Sequence, residues 1–195
     1  MTTADRRTDL VRAYRPAAEI LSAIDASQLG RRTPCDRYDV GALVDHLVGA
    51  GFRAAALGRG ETPTGDEFPH VELADAPEEM RRAGKEAEAA WSDPGRLAST
   101  TTMPWGETYT GYTLVDMYLA EIATHTWDLA FSTGQVARLD PASAPVALQA
   151  ARSMLKPEYR DLMEKGSPFG AEVAAPPDAT GWERLAAFMG RQPRP

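Results

Sequence analysis

Apolar residues recur near the N-terminus at Leu10, Tyr14, Ala17, Leu21 and Ile24, steps of four and three that draw one stripe along a helix. Pro16 falls inside that stripe and lacks a backbone donor, so helix 1 is expected either to kink there or to start there. Residues 30–35 read as a loop. Asp39 is placed to cap a second helix whose apolar arc is Val40, Leu43, Val44, Leu47 and Val48, continuing to about Leu57. Residues 58–69 are rich in Gly and Pro among polar side chains and read as an exposed connection. Asp75 followed by Glu78 resembles a capping box for helix 3, with Met80, Ala83, Ala87 and Trp91 at helical spacing and Gly84 weakening it.

The pattern then changes. Thr100 to Thr102, Pro104-Trp105-Gly106 and Thr108 to Thr110 favour extended chain around a turn, so a long loop or short hairpin is expected. Thr113 is the expected cap of helix 4, which runs through Leu114, Met117, Tyr118, Glu121, Ile122, His125 and Leu129 to a stop at Gly134. A fifth helix is expected from Asp140-Pro141 to about Lys156, and a sixth from Thr180 with Glu183 three residues on. These elements predict an all-α fold: a four-helix bundle with extra C-terminal helices and a short loop or hairpin before helix 4, in one domain over residues 1–195.

Composition narrows the function. At 195 residues, with 43% hydrophobic and 25% charged positions, the chain has globular proportions. No stretch suggests the 18 or so apolar residues of a spanning helix, so no membrane is expected. The charged N-terminus lacks an apolar stretch, so no secretory leader is expected and the cytoplasm is the expected compartment. A single cysteine, Cys35, excludes an intramolecular disulfide and a cysteine-cluster metal site. Net charge is −7 with scattered basic residues, which argues against nucleic acid as a partner. The chain is expected to be a monomer or homodimer.

Glu121 and His125 lie four apart on helix 4 and project from one face, in line with Leu114 and Met117/Tyr118. A carboxylate on an inward stripe needs a partner or a metal. His46, beside the apolar arc of helix 2, is the third candidate. Two histidines and one glutamate from facing helices form the donor set of catalytic zinc sites with an open position, and also suit Fe(II). Packing roles stand beside this: His46 as a hydrogen-bonded core histidine, Glu121 and His125 as an ordinary side-chain pair. His70, in a Pro-flanked loop, is read as solvated, and Cys35 as a buried thiol. Asp128 is placed to orient a ligand histidine from behind. Trp105, Tyr109 and Tyr112 either line a pocket or fold their loop under the bundle. Trp105, Tyr109 and Tyr118 are the expected substrate contacts. No catalytic residue beyond the metal ligands is assigned.

Three segments carry a resemblance. Thr33-Pro34-Cys35-Asp36-Arg37-Tyr38-Asp39-Val40, continuing to Asp45-His46-Leu47-Val48-Gly49, resembles the opening motif of actinobacterial metal-binding proteins of the DinB-like superfamily, which are related to the N-terminal domain of mycothiol-dependent maleylpyruvate isomerase. Glu121-Ile122-Ala123-Thr124-His125-Thr126-Trp127-Asp128 looks like the second motif of that family. Phe169-Gly170-Ala171-Glu172-Val173 and Leu185 to Arg191 resemble its closing segment. The resemblance implies a divalent metal, usually zinc with Fe or Ni as alternatives, held by His46, Glu121 and His125. It further implies mycothiol as co-substrate, in a thiol transferase or isomerase acting on a small electrophile. The alternative is a non-catalytic metal-binding bundle protein of stress response or small-molecule binding; an open Fe(II) site for oxygen chemistry is a third. The isomerase resembles a longer architecture with a further C-terminal domain, and only a short segment follows helix 5 here. Maleylpyruvate itself therefore does not follow as the substrate.

Overall fold

The computed structural model describes residues 4–65, 68–160 and 170–194. The N-terminal residues 1–3 and Phe169, used in the sequence reading, lie outside the described residues. The chain forms α1 (Arg7–Leu21), α2 (Val40–Arg59), α3 (Ala76–Ala90), a hairpin of β1 (Thr100–Thr102) and β2 (Thr108–Thr110), α4 (Gly111–Thr133), α5 (Ala144–Met154), the short α6 (Pro157–Arg160) and α7 (Gly181–Phe188). Helix α1 packs on α3 and α4, and α2 packs on the same two, which closes a four-helix ring. Helices α5 and α7 extend it, α5 resting on α4 and α7 on α5. The architecture is all-α, as the periodicities require.

Local chemistry sets the ends that matter. Asp39 Oδ1 accepts from Ala42 N at 2.9 Å to open α2, and Gly60 closes it at φ 86°. Helix α4 is capped by Thr110, whose side chain accepts from Thr113 N; the expected cap, Thr113, is the third helical residue, because β2 leads straight into the helix. The capping box expected at Asp75 is not formed. Asp75 already has helical backbone angles, Ala76 N bonds Glu72 O at 3.0 Å, and Pro77 sits in the first turn. Pro16 neither starts nor interrupts α1, which runs through it. Helix α5 starts three to four residues later than expected and stops at Met154, where Leu155 turns extended two residues before Pro157. Gly84, unfavourable to a helix in isolation, leaves room for Tyr14: a Cβ there would lie 2.9 Å from the Cβ of Tyr14.

Helix α2 corrects the reading that no stretch is apolar enough to span a membrane. Its 20 residues have the length and mean hydropathy, 1.3, of a spanning helix. Most of its surface is buried in the bundle, where Val40, Leu43, Val44, Leu47 and Val48 form the core between α3 and α4. Tyr14 Oη and Trp91 Nε1 donate to the α2 carbonyls of Gly51 and Ala54, each at 2.9 Å, and tie α1 and α3 to it.

The C-terminal segment is fastened separately. Thr180 and Glu183 form a reciprocal capping box on α7, and Arg194 returns to pair with Glu183 at 2.5 Å and Asp178 at 3.0 Å. The Arg194 guanidinium and the Thr180 donors hold the Glu183 carboxyl down to about 2. A depressed acid stabilises the fold above its unfolded value and loses that contribution as pH falls through the folded one. Glu183→Gln is therefore expected to cost about 1 kcal/mol near pH 7, after allowance for solvent screening. The difference from wild type should fade between about pH 4.5 and 2 in urea denaturation. Gly111→Ala is expected to lose about 2 kcal/mol despite the helix preference for alanine, because its Cβ would lie 2.1 Å from the backbone oxygen of Arg96 and 2.8 Å from Leu97 Cα. Denaturation midpoints measure it.

Candidate metal centre

The middle of α4 faces the first half of α2, and the three side chains nominated by spacing meet there. Donor atoms of His46, Glu121 and His125 all lie within 4.8 Å of one another. His46 Nε2 is 2.8 Å from Glu121 Oε1, and His125 Nε2 is 3.4 Å from the same oxygen. The two imidazoles sit edge to face with centroids 4.8 Å apart. Side-chain exposures of 16% for His46, 21% for Glu121 and 6% for His125 leave the cluster partly open to solvent rather than sealed in the core.

The groups are strongly coupled. Burial alone would raise the Glu121 carboxyl, but the charge and hydrogen bond of His125 and the hydrogen bond of His46 hold it well below the usual range. Burial alone would lower His125; the Glu121 carboxylate and the bond to Asp128 outweigh it and push the imidazole up to about 10. A cation bound among these groups would have to compete with the proton that the raised imidazole favours.

Behind His125 lies a buried ionic chain. His125 Nδ1 donates to Asp128 Oδ2 at 3.0 Å, and Asp128 has no exposed surface. Arg191 donates to both Asp128 oxygens, from Nη2 at 3.2 Å and Nε at 3.3 Å, and to Met189 O at 2.7 Å. The carboxylate fixes the ring so that Nε2 faces Glu121 and His46, the arrangement expected behind a metal-ligating histidine. Cys35 is buried, with its sulfur within 4.8 Å of donor atoms of His125 and Asp128. The donor types, their convergence and this backing fit a divalent cation with an open position.

Aromatic rings enclose His46. Tyr38 stacks on it at 4.7 Å and 29°, and Phe68 meets it edge-on at 5.3 Å and 72°. Neither was nominated from the sequence. Phe68 leaves a trace as the lone large apolar residue of a Gly- and Pro-rich connection, whereas Tyr38 and Arg191 leave none. Tyr118 is buried one turn before Glu121 on α4. Trp105 is about half exposed and lies against Tyr109 on the hairpin, centroids 6.4 Å apart, where β2 enters α4. Glu121 is ten residues further along, about 15 Å of helix. Among the described residues Trp105 has no ring contact or hydrogen bond with the cluster. His70 is exposed and bonds Asp45 at 3.0 Å.

Removing either partner of the Asp128–Arg191 pair strands a buried charge, so Asp128→Ala and Arg191→Ala are each expected to cost about 3 kcal/mol in urea denaturation. The double variant should cost clearly less than their sum, because it strands neither.

Comparison with known proteins places the chain in a family. Residues 10–130 match the family described as Mycothiol maleylpyruvate isomerase N-terminal domain. Two Mycobacterium tuberculosis proteins, uncharacterized protein MT0763 and uncharacterized protein Rv0738, are 32% identical over 188 residues, 94% of this chain and 96% of theirs. The crystal structure of the mycothiol-dependent maleylpyruvate isomerase superposes with a TM-score of 0.55 at 16% identity, over 92% of this chain and 79% of that one, as does a histidine-to-alanine mutant of it. That likeness is one of fold. The chain belongs to the mycothiol maleylpyruvate isomerase N-terminal domain family, within the DinB-like bundles.

Proposed function

We propose that this protein is a divalent-metal enzyme that uses a low-molecular-weight thiol, mycothiol, to isomerise a small electrophile or to transfer the thiol to it. The observation that carries the reading is the convergence of His46 Nε2, His125 Nε2 and Glu121 Oε1, with His125 braced by Asp128 and Arg191. A divalent metal, zinc in the first instance, bound there would act as a Lewis acid that lowers the pKa of a thiol, giving a nucleophile at neutral pH.

The chain's own residues do the rest. Asp128 holds the His125 ring with Nδ1–H turned inward, which leaves Nε2 aimed at the cluster. Glu121 supplies the one carboxylate, so that two imidazoles and a carboxylate would leave a bound divalent ion with residual positive charge. Tyr38 and Phe68 wall the His46 side and restrict the approach of water. Tyr118, buried one turn from Glu121, is assigned as the substrate-facing wall on α4. Family membership supports mycothiol as the thiol, since the matching family is described by a mycothiol isomerase.

Two measurements test the reading together: elemental analysis of protein purified without a histidine tag, and consumption of chlorodinitrobenzene or a bimane with mycothiol as the thiol. About one zinc per chain is expected, lost in His46→Ala and Glu121→Ala. Mycothiol-dependent turnover should fall more than about 100-fold in His125→Ala, beyond the loss typical of a residue that only backs a ligand. Absence of metal after reconstitution, or turnover unchanged in His125→Ala, overturns it. Stoichiometric metal without turnover on any electrophile or thiol leaves the metal-binding part and refutes the catalytic part.

A further inference from the structure

The two histidines of the cluster are held by different means. His125 has a carboxylate on Nδ1, as metal-ligating histidines usually do. His46 has none: among the described residues its only hydrogen bond is from Nε2 to Glu121, and nothing bonds Nδ1. Its orientation falls to the rings of Tyr38 on one side and Phe68 on the other.

Phe68 reaches that position only because residue 49 is glycine. A Cβ on Gly49 would lie 2.2 Å from Cγ and Cδ1 of Phe68 and 2.6 Å from its Cβ. Rotation about the Phe68 side chain cannot clear the last contact, since Cβ does not move with χ1. The backbone carrying Phe68 would have to withdraw from α2, and the ring would leave His46. Phe68 also carries the Arg53 guanidinium, 4.2 Å from the ring centroid. The ring also lines a concavity of about 1050 Å³ between α2 and the connection that follows it. It therefore borders both that concavity and His46.

We infer that Phe68, seated against Gly49, is the positioning residue of His46 and governs how fast a divalent metal exchanges at the cluster. With the ring in place His46 is held between the stacked Tyr38 ring and the edge-on Phe68 ring, and Phe68 covers it where it borders the neighbouring concavity. With it withdrawn, Tyr38 alone restrains the ring, and water or a competing chelator would reach His46 from that side as well. The inference rests on the reading of the cluster as a metal site and adds to it the residues that control exchange.

The test is the rate of zinc loss from the loaded protein to excess chelator, followed with a colorimetric zinc indicator, in Phe68→Ala, Phe68→Leu, Gly49→Ala and the Gly49→Ala/Phe68→Ala pair. Phe68→Ala and Gly49→Ala are each expected to speed loss about tenfold, in the range seen when a residue backing a ligand is removed. Phe68→Leu keeps apolar volume at the surface of α2 without the ring edge, so it should remain fast while melting close to wild type. The double variant should be no faster than Phe68→Ala, because the new Cβ then meets no ring. Its metal-free form should melt lower than that of Phe68→Ala, because the β-carbons of residues 49 and 68 would still approach to 2.6 Å and the strain of that contact outweighs the helix preference for alanine. Loss rates within twofold of wild type, or effects of the two substitutions that multiply, overturn the inference while the metal site stands. Wild-type protein that takes up no zinc overturns the metal reading itself and the inference with it.

Discussion

One buried contact organises the site: the carboxylate of Asp128, fully enclosed, between the imidazole of His125 and the guanidinium of Arg191. Enclosing an anion is costly unless its oxygens are all engaged and a counter-charge is close. Here Arg191 supplies two donors and the charge, and His125 supplies the third donor. Burial would lower the basicity of Arg191, yet the facing Asp128 raises it, so the guanidinium stays charged at any pH at which the protein is folded. Because Asp128 and His125 are one helical turn apart, a rigid α4 carries the constraint directly to Nε2 of His125. Loops would do this less exactly.

Two larger features of the fold serve that contact or the cluster in front of it. The four-helix ring sets α2 against α4, which brings His46 to Glu121 across the bundle. The C-terminal helices deliver Arg191 from 63 positions away, and the α7 capping box with the Arg194 pairs fixes the segment that ends in it. The front of the site is built differently. Its pairing is between titrating groups, Glu121 depressed and His125 elevated, and it would relax if the proposed cation replaced the proton. The back is a fixed ionic brace, the front an exchangeable one.

How much of this the sequence displayed follows from the range of each interaction. The helices of the bundle were legible because periodic burial is a local signal, and Gly134 and Thr180 mark ends through chemistry confined to a few residues. Glu121 and His125 were legible as a pair because one helix fixes their spacing, and Asp128 because it is one turn beyond. The cap of α4 was misplaced by three residues, since Thr110 and Thr113 are equally good caps until the hairpin ahead of them is known. The start of α5 was misplaced because Pro141 and Pro145 are both permitted in a first turn. Arg191 and Tyr38 were not legible as site residues, and Phe68 only as an isolated apolar residue in a polar connection. Each reaches the cluster by tertiary contact from a segment without periodicity, and the Gly49–Phe68 fit depends on a close approach between chain segments 19 residues apart that no pattern encodes.

The most direct test of the brace is nitrogen NMR of the histidine rings in protein titrated with zinc. The account requires His125 to keep its proton on Nδ1, against Asp128, while Nε2 of both His125 and His46 shifts to the metal-bound range at one equivalent. Coordination of His125 through Nδ1, or ring nitrogens unchanged by zinc, would contradict it.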